Sequence, residues 1–327
     1  MIPFSVLDLA PIIEGGTAAD ALANARDLAR HAEGWGYKRF WMAEHHSMPG
    51  IASAATSVAL AYVGGGTSTI RIGAGGIMLP NHAPLQIAEQ FGTLESLFPG
   101  RVDLGLGRAP GTDQAAAHAL RRNLSADVNQ FPRDVVELMD YLQPAAPARV
   151  RAIPGEGLAI PIWILGSSTF GAQLAAHLGL PYAFASHFAP GQMMEALHVY
   201  RSAFKPSAQL AEPYVMLGYN AFAADTDEEA ELMATSLMQA FIALRSGTPA
   251  QLPPPAPGYY ESLSPAQRAG LDHVLSCSAV GGPDKVRAAI QTFIAQTGAD
   301  ELMITSQTFD HAARLRSFEI VAELIGV

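Results

Sequence analysis

Strand-like and helix-like segments alternate along almost the whole chain, and that rhythm is the strongest constraint on its fold. Short apolar runs at residues 4–9, 39–43, 70–74, 102–106, 162–165, 182–184, 214–221 and 301–305 read as strands. Runs of this kind, continuous rather than alternating, suit strands buried on both faces of a parallel sheet. Between them lie segments with apolar residues at helical spacing. The first carries Leu22, Ala25, Ala29 and Ala32; others cover 52–62, 85–97, 171–178, 193–204, 227–244 and 284–294. A further helix runs through Val135, Val136, Met139 and Leu142, and the last sets Leu315, Phe318, Ala322 and Ile325 on one stripe. About eight βα units without a break in composition predict a single (β/α)8 TIM barrel over residues 1–327. A doubly wound sheet would favour a glycine fingerprint at the first βα turn, and Asp8-Leu9-Ala10-Pro11 has none.

Three stretches interrupt the rhythm. Residues 108–130 read as a long polar loop and 144–161 as a loop rich in Ala, Pro and Gly. Residues 246–280 contain Pro253-Pro254-Pro255 and Pro257-Gly258 and read as an insertion of the lid or binding-loop kind.

Charge narrows the function classes. The 327 residues are 49% hydrophobic and only 15% charged, with a formal net charge of −10. A nucleic-acid partner would call for a basic face. Cys277 is the single cysteine, so neither an internal disulfide nor a cysteine metal cluster is expected. The start of the chain lacks the basic region of a signal peptide, and the most membrane-like segment, 51–63, is shorter than the roughly 20 residues a span needs. These features predict a soluble, cytoplasmic protein without nucleic-acid or membrane partners.

In a barrel the chemistry lies at the carboxyl ends of the strands. The second strand ends in Glu44-His45-His46. Successive side chains on a strand point to opposite faces, so one imidazole faces the pocket and the other packs behind it. Imidazole exchanges protons near neutral pH. The third strand ends in Gly73-Ala74-Gly75-Gly76, where a planar ligand can come close to the main chain. The fourth runs Asp103-Leu104-Gly105-Leu106-Gly107-Arg108-Ala109-Pro110-Gly111, whose glycine spacing departs from a dinucleotide fingerprint. Arg108 can hold a phosphate or carboxylate in a two-pronged grip. The fifth ends in Gly166-Ser167-Ser168-Thr169 before a helix. Free amides and hydroxyls there make an anion site, although serines also cap helices with no ligand present.

With these residues in view, the chain resembles the bacterial luciferase-like monooxygenase family. The matching pieces are Trp41 to His46, Arg71 to Pro80, Gly100 to Arg108, Gly166-Ser167-Ser168, Ala299 to Ile304 and Asp310 to Leu315, in order along nearly the whole sequence. The resemblance implies a barrel enzyme that takes reduced FMN, supplied by a separate flavin reductase. It would react the flavin with O2 to a C4a-(hydro)peroxyflavin and oxygenate a small organic substrate. It implies His45 as the catalytic imidazole. Gly75 and Gly76 would form the backbone against the isoalloxazine, at a site where relatives carry a non-prolyl cis peptide. Arg108, Ser167, Ser168 and the Gly171 amide would hold the flavin phosphate. Helices 51–63 and 85–97 would form a homodimer face. Position 171 often carries a hydroxyl in relatives and here is glycine. The reactive cysteine of true luciferases would fall near Gly107, where there is no thiol, so light emission is not expected. Trp41, Phe184 and residues 253–260 are candidate walls of a dry pocket. Three alternatives stay open: an F420-dependent hydride-transfer enzyme on the same barrel, a non-catalytic flavin-binding protein, and a metal-assisted hydrolase using Glu44, His45 and His46. The last lacks a second ligand cluster at metal spacing in the sequence, so no metal is expected.

Overall fold

The computed structural model describes residues 2–108, 118–120, 130–144 and 150–325. Its strands are β1 (Phe4–Asp8), β2 (Arg39–Met42), β3 (Arg71–Met78), β4 (Val102–Gly107), β5 (Ile162–Gly166), β6 (Tyr182–Phe184), β7 (Val215–Ala223), β8 (Ser278–Gly281) and β9 (Glu301–Thr305). All pairings between them are parallel. Eight strands close a ring: β1 to β6 in order, β6 to β7, β7 to β9, and β9 back to β1. The protein is a (β/α)8 barrel. Strand β8 stands outside the ring, pairing with Asn220–Ala223 in the far half of β7, whereas β9 pairs with Met216–Asn220.

The helices are α1 (Ala18–Gly34), α2 (Thr56–Gly64), α3 (Pro84–Leu97), α4 (Phe131–Leu142), α5 (Thr169–Leu178), α6 (Met193–Ala203), α7 (Asp227–Arg245), α8 (Tyr259–Ser262), α9 (Pro265–Val274), α10 (Pro283–Thr297) and α11 (His311–Ile325). Among the described residues no helix is long and apolar enough to cross a membrane.

Strand periodicity sorts the wall into two faces. Phe4, Val6, Phe40, Met42, Ile72, Ala74, Leu104 and Ile164 pack outward in the large core shared with the helices. Leu7, Trp41, Ala43, Trp163, Ala183, Met216 and Met303 form a separate cluster inside the barrel. The indoles of Trp41 and Trp163 meet edge to face at 5.2 Å and 84°, a geometry worth about 0.5–1.5 kcal/mol beyond the area buried.

Below this layer Arg39 seals the floor. Its Nη1 donates to Asp103 Oδ2 at 2.7 Å, and Nε and Nη2 donate to Glu301 at 2.7 and 3.0 Å. Ser5 Oγ also donates to Glu301, and Trp41 Nε1 donates to Asp103 Oδ2 at 3.2 Å. Burial alone would lower the Arg39 pKa, but attraction to Asp103 and Glu301 outweighs it and raises the value. The floor is therefore ionic yet locally balanced, and the indole layer above it is apolar.

Several elements differ from the sequence expectations. Residues 246–280 are not a plain loop: they fold into α8, α9 and β8. The signal for α9 is a capping box, with Ser264 accepting from the Gln267 amide and Gln267 answering the Ser264 amide, followed by Pro265 at the first turn. Helix α2 begins at Thr56 rather than 52, because Ser53 is held instead by donation to the carbonyls of Ala43 and Leu9. Strand β3 runs on through the two glycines to Met78, with its register against β4 shifting between Ala74 and Ile77. Phe184 is no pocket wall. Alternation turns it outward into the helix-side core, while Ala183 faces the interior. Ala109-Pro110-Gly111 and most of the 108–130 loop lie outside the described residues.

Candidate active site

The inside-outside alternation of β2 decides how Glu44-His45-His46 is deployed. Trp41 and Ala43 face the interior, and Phe40 and Met42 face the helices. Carried past the end of β2, the same alternation sends Glu44 and His46 behind the wall and His45 toward the barrel mouth.

Behind the wall, Glu44 collects three donors. Its Oε1 accepts from His46 Nε2 at 2.6 Å and from His82 Nε2 at 2.8 Å, and its Oε2 accepts from the Met78 amide at 3.0 Å. A carboxylate only accepts, so both imidazoles turn an N–H toward it. Burial would raise the Glu44 pKa, but donation and charge from His82, then His46 and the Met78 amide, hold it below the ordinary 4.5. His82 follows a short 3-10 turn, Leu79–Asn81, directly after β3. It lies 38 residues from Glu44 along the chain, a separation the sequence reading passed over. Glu44, His46 and His82 are also the described His/Glu atoms close enough together to surround a metal ion. His45, placed among the possible metal ligands from sequence, is not in that group.

His45 sits in different surroundings. Its Nδ1 is sealed from solvent and meets no hydrogen-bond partner among the described residues. Burial lowers its pKa below 6.5, the Glu44 charge opposes that shift, and His46 adds to it. The ring is therefore neutral at neutral pH. A second imidazole, His187 after β6, interacts electrostatically with His45. The sequence reading missed it, because the apolar residues around it, Phe184 and Phe188, look like ordinary core.

On β3 the Gly75–Gly76 peptide is cis. A side chain is excluded by backbone at Gly76 and crowded by the Leu7 and Trp41 side chains at Gly75. A Cβ on Gly75 would fall 2.9 Å from Leu7 Cδ1, and one on Gly76 would fall 2.7 Å from the carbonyl oxygen of Gly105 on β4. The wall here is bare backbone.

One strand further, Arg108 leaves β4, and its guanidinium lies 4.2 Å from the centroid of the Phe170 ring. Phe170 is the second residue of α5. Ser168 is the extended N-cap of α5, yet its side chain makes no capping hydrogen bond. Its carbonyl instead accepts from the Tyr182 hydroxyl at 3.0 Å. Ser167 is exposed and Gly171 buried. A Cβ at Gly171 would press on Tyr182 at 3.3 Å. Arg108 and the first turn of α5 thus form one cationic, donor-rich corner. The ends of β2, β3, β4 and β5, which are consecutive in the ring, carry His45, the diglycine, Arg108 and Ser167-Ser168 in that order.

This geometry can be set beside known proteins. Residues 2–301 match the family model described as luciferase-like monooxygenase. The chain belongs to the luciferase-like monooxygenase family. It is 55% identical over 324 residues to a luciferase-like monooxygenase of Escherichia coli strain K12, covering 99% of this chain and 97% of that protein. The crystal structure of apo-MsnO8 superposes with a TM-score of 0.89 at 34% identity, covering 100% of this chain and 99% of that one. The same fold, at 17% identity and a TM-score of 0.72, is found in the oxygenating constituent of 3,6-diketocamphane monooxygenase from Pseudomonas putida, in complex with FMN. That match covers 98% of this chain and 97% of the other. Membership makes this protein a luciferase-like oxidoreductase, an enzyme of the monooxygenase type.

Proposed function

We propose that this luciferase-like enzyme binds reduced FMN at the carboxyl end of its barrel and uses O2 to oxygenate a small organic substrate. One observation carries the reading. Arg108 and the first turn of α5, where Ser168 makes no side-chain cap, stand beside a side-chain-free backbone wall at Gly75 and Gly76, with His45, whose Nδ1 meets no partner among the described residues, on the next strand. A flat molecule with a phosphate tail fits that order of features.

In this reading the guanidinium of Arg108 forks onto the phosphate. The Ser167 and Ser168 hydroxyls and the first α5 amides, including that of Gly171, supply further donors. Gly75 and Gly76 let the ring system lie against main chain. When bound, reduced FMN supplies the electrons that activate O2. His45, neutral at neutral pH, takes up or returns a proton at the mouth. The layer of Leu7, Trp41, Trp163, Met216 and Met303 closes the pocket to water from beneath, which protects a reactive site from side reactions. A separate flavin reductase delivers the reduced cofactor.

The dimer reading rests on an apolar patch. Val58 and Tyr62 lie one turn apart on α2 and are 69% and 44% exposed; Leu97, at the end of α3, is 59% exposed. A second copy of the chain is the occupant this reading assigns to that face.

The decisive experiment is anaerobic titration of the purified protein with reduced FMN and, separately, with reduced F420, followed by admission of O2 and measurement of its uptake. Tight FMN binding with O2 consumption supports the proposal. Binding of F420 in preference to FMN overturns it, and FMN binding with no O2-dependent turnover of any substrate leaves a flavin carrier in its place.

A further inference from the structure

Among the described residues the buried carboxylates are those of Asp8, Glu44, Asp103 and Glu301. Three of them hold a guanidinium: Asp8 pairs with Arg314, and Asp103 and Glu301 share Arg39, each at 2.7 Å. Glu44 is the exception. Its ion-pair partners among the described residues are two imidazoles, His46 at 2.6 Å and His82 at 2.8 Å, which carry charge only when protonated. Buried charges are normally paired with a cation or bound to a metal ion. With neutral histidines, Glu44 has donors around it but no full positive charge.

The three side chains converge as ligands do. Both rings direct Nε2 at the same oxygen, Oε1, while Oε2 accepts from the Met78 amide at 3.0 Å. That amide orients the carboxylate in the way outer hydrogen bonds orient metal ligands. One ligand atom from each residue lies within 4.8 Å of the other two. Bonds of about 2.0–2.2 Å to a tetrahedral ion set its ligand atoms roughly 3.3 Å apart, so the two N···O gaps open by only roughly 0.5–0.7 Å to admit one. The backbone on either side is held. The Glu44 amide donates to the Gly76 carbonyl at 3.4 Å, and the His82 amide to the Leu79 carbonyl at 3.0 Å. The adjustment therefore falls on side-chain torsions.

The cluster is open on one side. The side chain of Glu44 is 1% exposed, but those of His46 and His82 are 17% and 24% exposed. An ion enters past the imidazoles and meets the carboxylate beneath them. It takes the place of the two Nε2 protons that point at Oε1. Each ring then keeps a single N–H, on Nδ1, and presents a bare Nε2; a ring that was cationic gives its second proton to water. Two imidazole nitrogens and one carboxylate oxygen suit zinc and its first-row neighbours, whereas magnesium and calcium prefer oxygen ligands.

We infer that Glu44 Oε1, His46 Nε2 and His82 Nε2 form a binding site for one divalent ion of the zinc class, behind the barrel wall, clamping the end of β2 to the turn after β3. The sequence expectation of no metal considers Glu44 with its immediate neighbours. His82 supplies the missing ligand from 38 residues away, and His45 takes no part. The site is separate from the proposed flavin pocket and does not depend on it.

The test uses untagged full-length protein, stripped with a chelator and dialysed. It is titrated with ZnCl2 by calorimetry and with CoCl2 by visible absorption, all without flavin. The wild type should bind one Zn2+ per chain with a dissociation constant of about 1 µM or tighter. Co2+ should give the absorption bands of a low-coordinate site, and MgCl2 should not compete. His82→Gln keeps an N–H donor for Glu44 but removes the ligand nitrogen. It should weaken zinc binding at least about 100-fold, since losing even an outer partner of a ligand costs up to that much. His46→Gln should do the same, and His45→Ala should bind zinc as the wild type does. Zinc should raise the melting temperature of the wild type and leave that of His82→Gln unmoved. A wild type that falls short of this affinity overturns the assignment, as does a His82→Gln protein that binds zinc equally well. Should the glutamine variants fail to fold, the ring 15N signals of the wild type decide. Zinc-induced shifts at Nε2 of His46 and His82 support the site, and unmoved signals reject it. No flavin enters these measurements, so their failure leaves the flavin reading untouched, and a failure to bind FMN leaves the metal site untouched.

Discussion

Glu44 and His45 are neighbours in the chain that face opposite sides of the barrel wall. Glu44 gathers His46, His82 and the Met78 amide behind the wall, whereas the Nδ1 of His45 meets no hydrogen-bond partner among the described residues and its ring interacts electrostatically with His187. One residue step thus separates a satisfied structural carboxylate from an unsatisfied imidazole. Glu44 ties the ends of β2 and β3 together, and that tie sets where His45 stands.

Glu44→Gln removes the charge from this cluster and is expected to destabilise the protein by about 1.5–3 kcal/mol at pH 7, the scale of a charged hydrogen bond. The folded pKa of Glu44 lies below its ordinary 4.5, so its contribution is fully present above pH 4.5 and is lost as pH falls through the lower folded value. Urea denaturation of wild type and variant should therefore show a gap at pH 7 that narrows in acid. A constant gap would place the effect in packing rather than charge.

His45→Ala should retain FMN binding and lose about 10²–10⁴-fold in turnover, the usual contribution of a positioned proton-transfer group. Because burial lowers the His45 pKa below 6.5, the neutral ring persists at pH 6.5. Wild-type activity should decline only as pH falls through that lower value, and the variant's residual activity should lack this acid limb. Unimpaired turnover would remove His45 from the mechanism.

Arg108→Ala should raise the FMN dissociation constant about 10- to 100-fold, as expected for a lost charge-assisted contact. Arg108→Lys should recover only part of the affinity, since an ammonium keeps the charge but not the fork. Isothermal titration with FMN checks both. Unchanged affinity would move the phosphate elsewhere.

Arg39→Met leaves Asp103 and Glu301 buried at the barrel floor without their shared guanidinium. Breaking such a buried pair costs about 3–5 kcal/mol. Arg71 at 2.7 Å from Asp103 and Lys38 at 3.4 Å from Glu301 soften the loss toward the lower figure. Chemical denaturation measures it, and FMN affinity should be unaffected in the folded fraction.

If two copies pair through the α2 face as proposed, Val58→Asp places a charge in that exposed patch and should shift the protein to monomer. Light scattering coupled to size exclusion reads the mass. A wild type that elutes as a monomer would end the dimer reading.

Much of this architecture is legible in the residues taken singly. Continuous apolar runs alternating with helical stripes announce the barrel, since parallel strands sealed by helices leave no polar face. The two-residue period of β2 is enough to separate His45 from Glu44 and His46. The glycines at 75 and 76 and the arginine and serines at the next two strand ends stand out by type alone.

What the residue string does not carry is which distant groups meet. His82 joins Glu44 across 38 residues, and His187 acts electrostatically on His45 from the opposite half of the barrel, an arrangement that exists only once the ring has closed. Phe184 was a candidate pocket wall by composition and is turned outward by its register. The insertion over 246–280, proline-rich and loop-like in composition, gains its helices from a local cap and its strand from an edge that β7 offers beyond β9. The sequence by itself determined the class of fold and the residue types gathered at the strand ends, because periodicity and residue chemistry are local properties. Only the tertiary structure decided their partners and directions, because ring closure brings together side chains from strands far apart in the chain and makes one imidazole satisfied and another open.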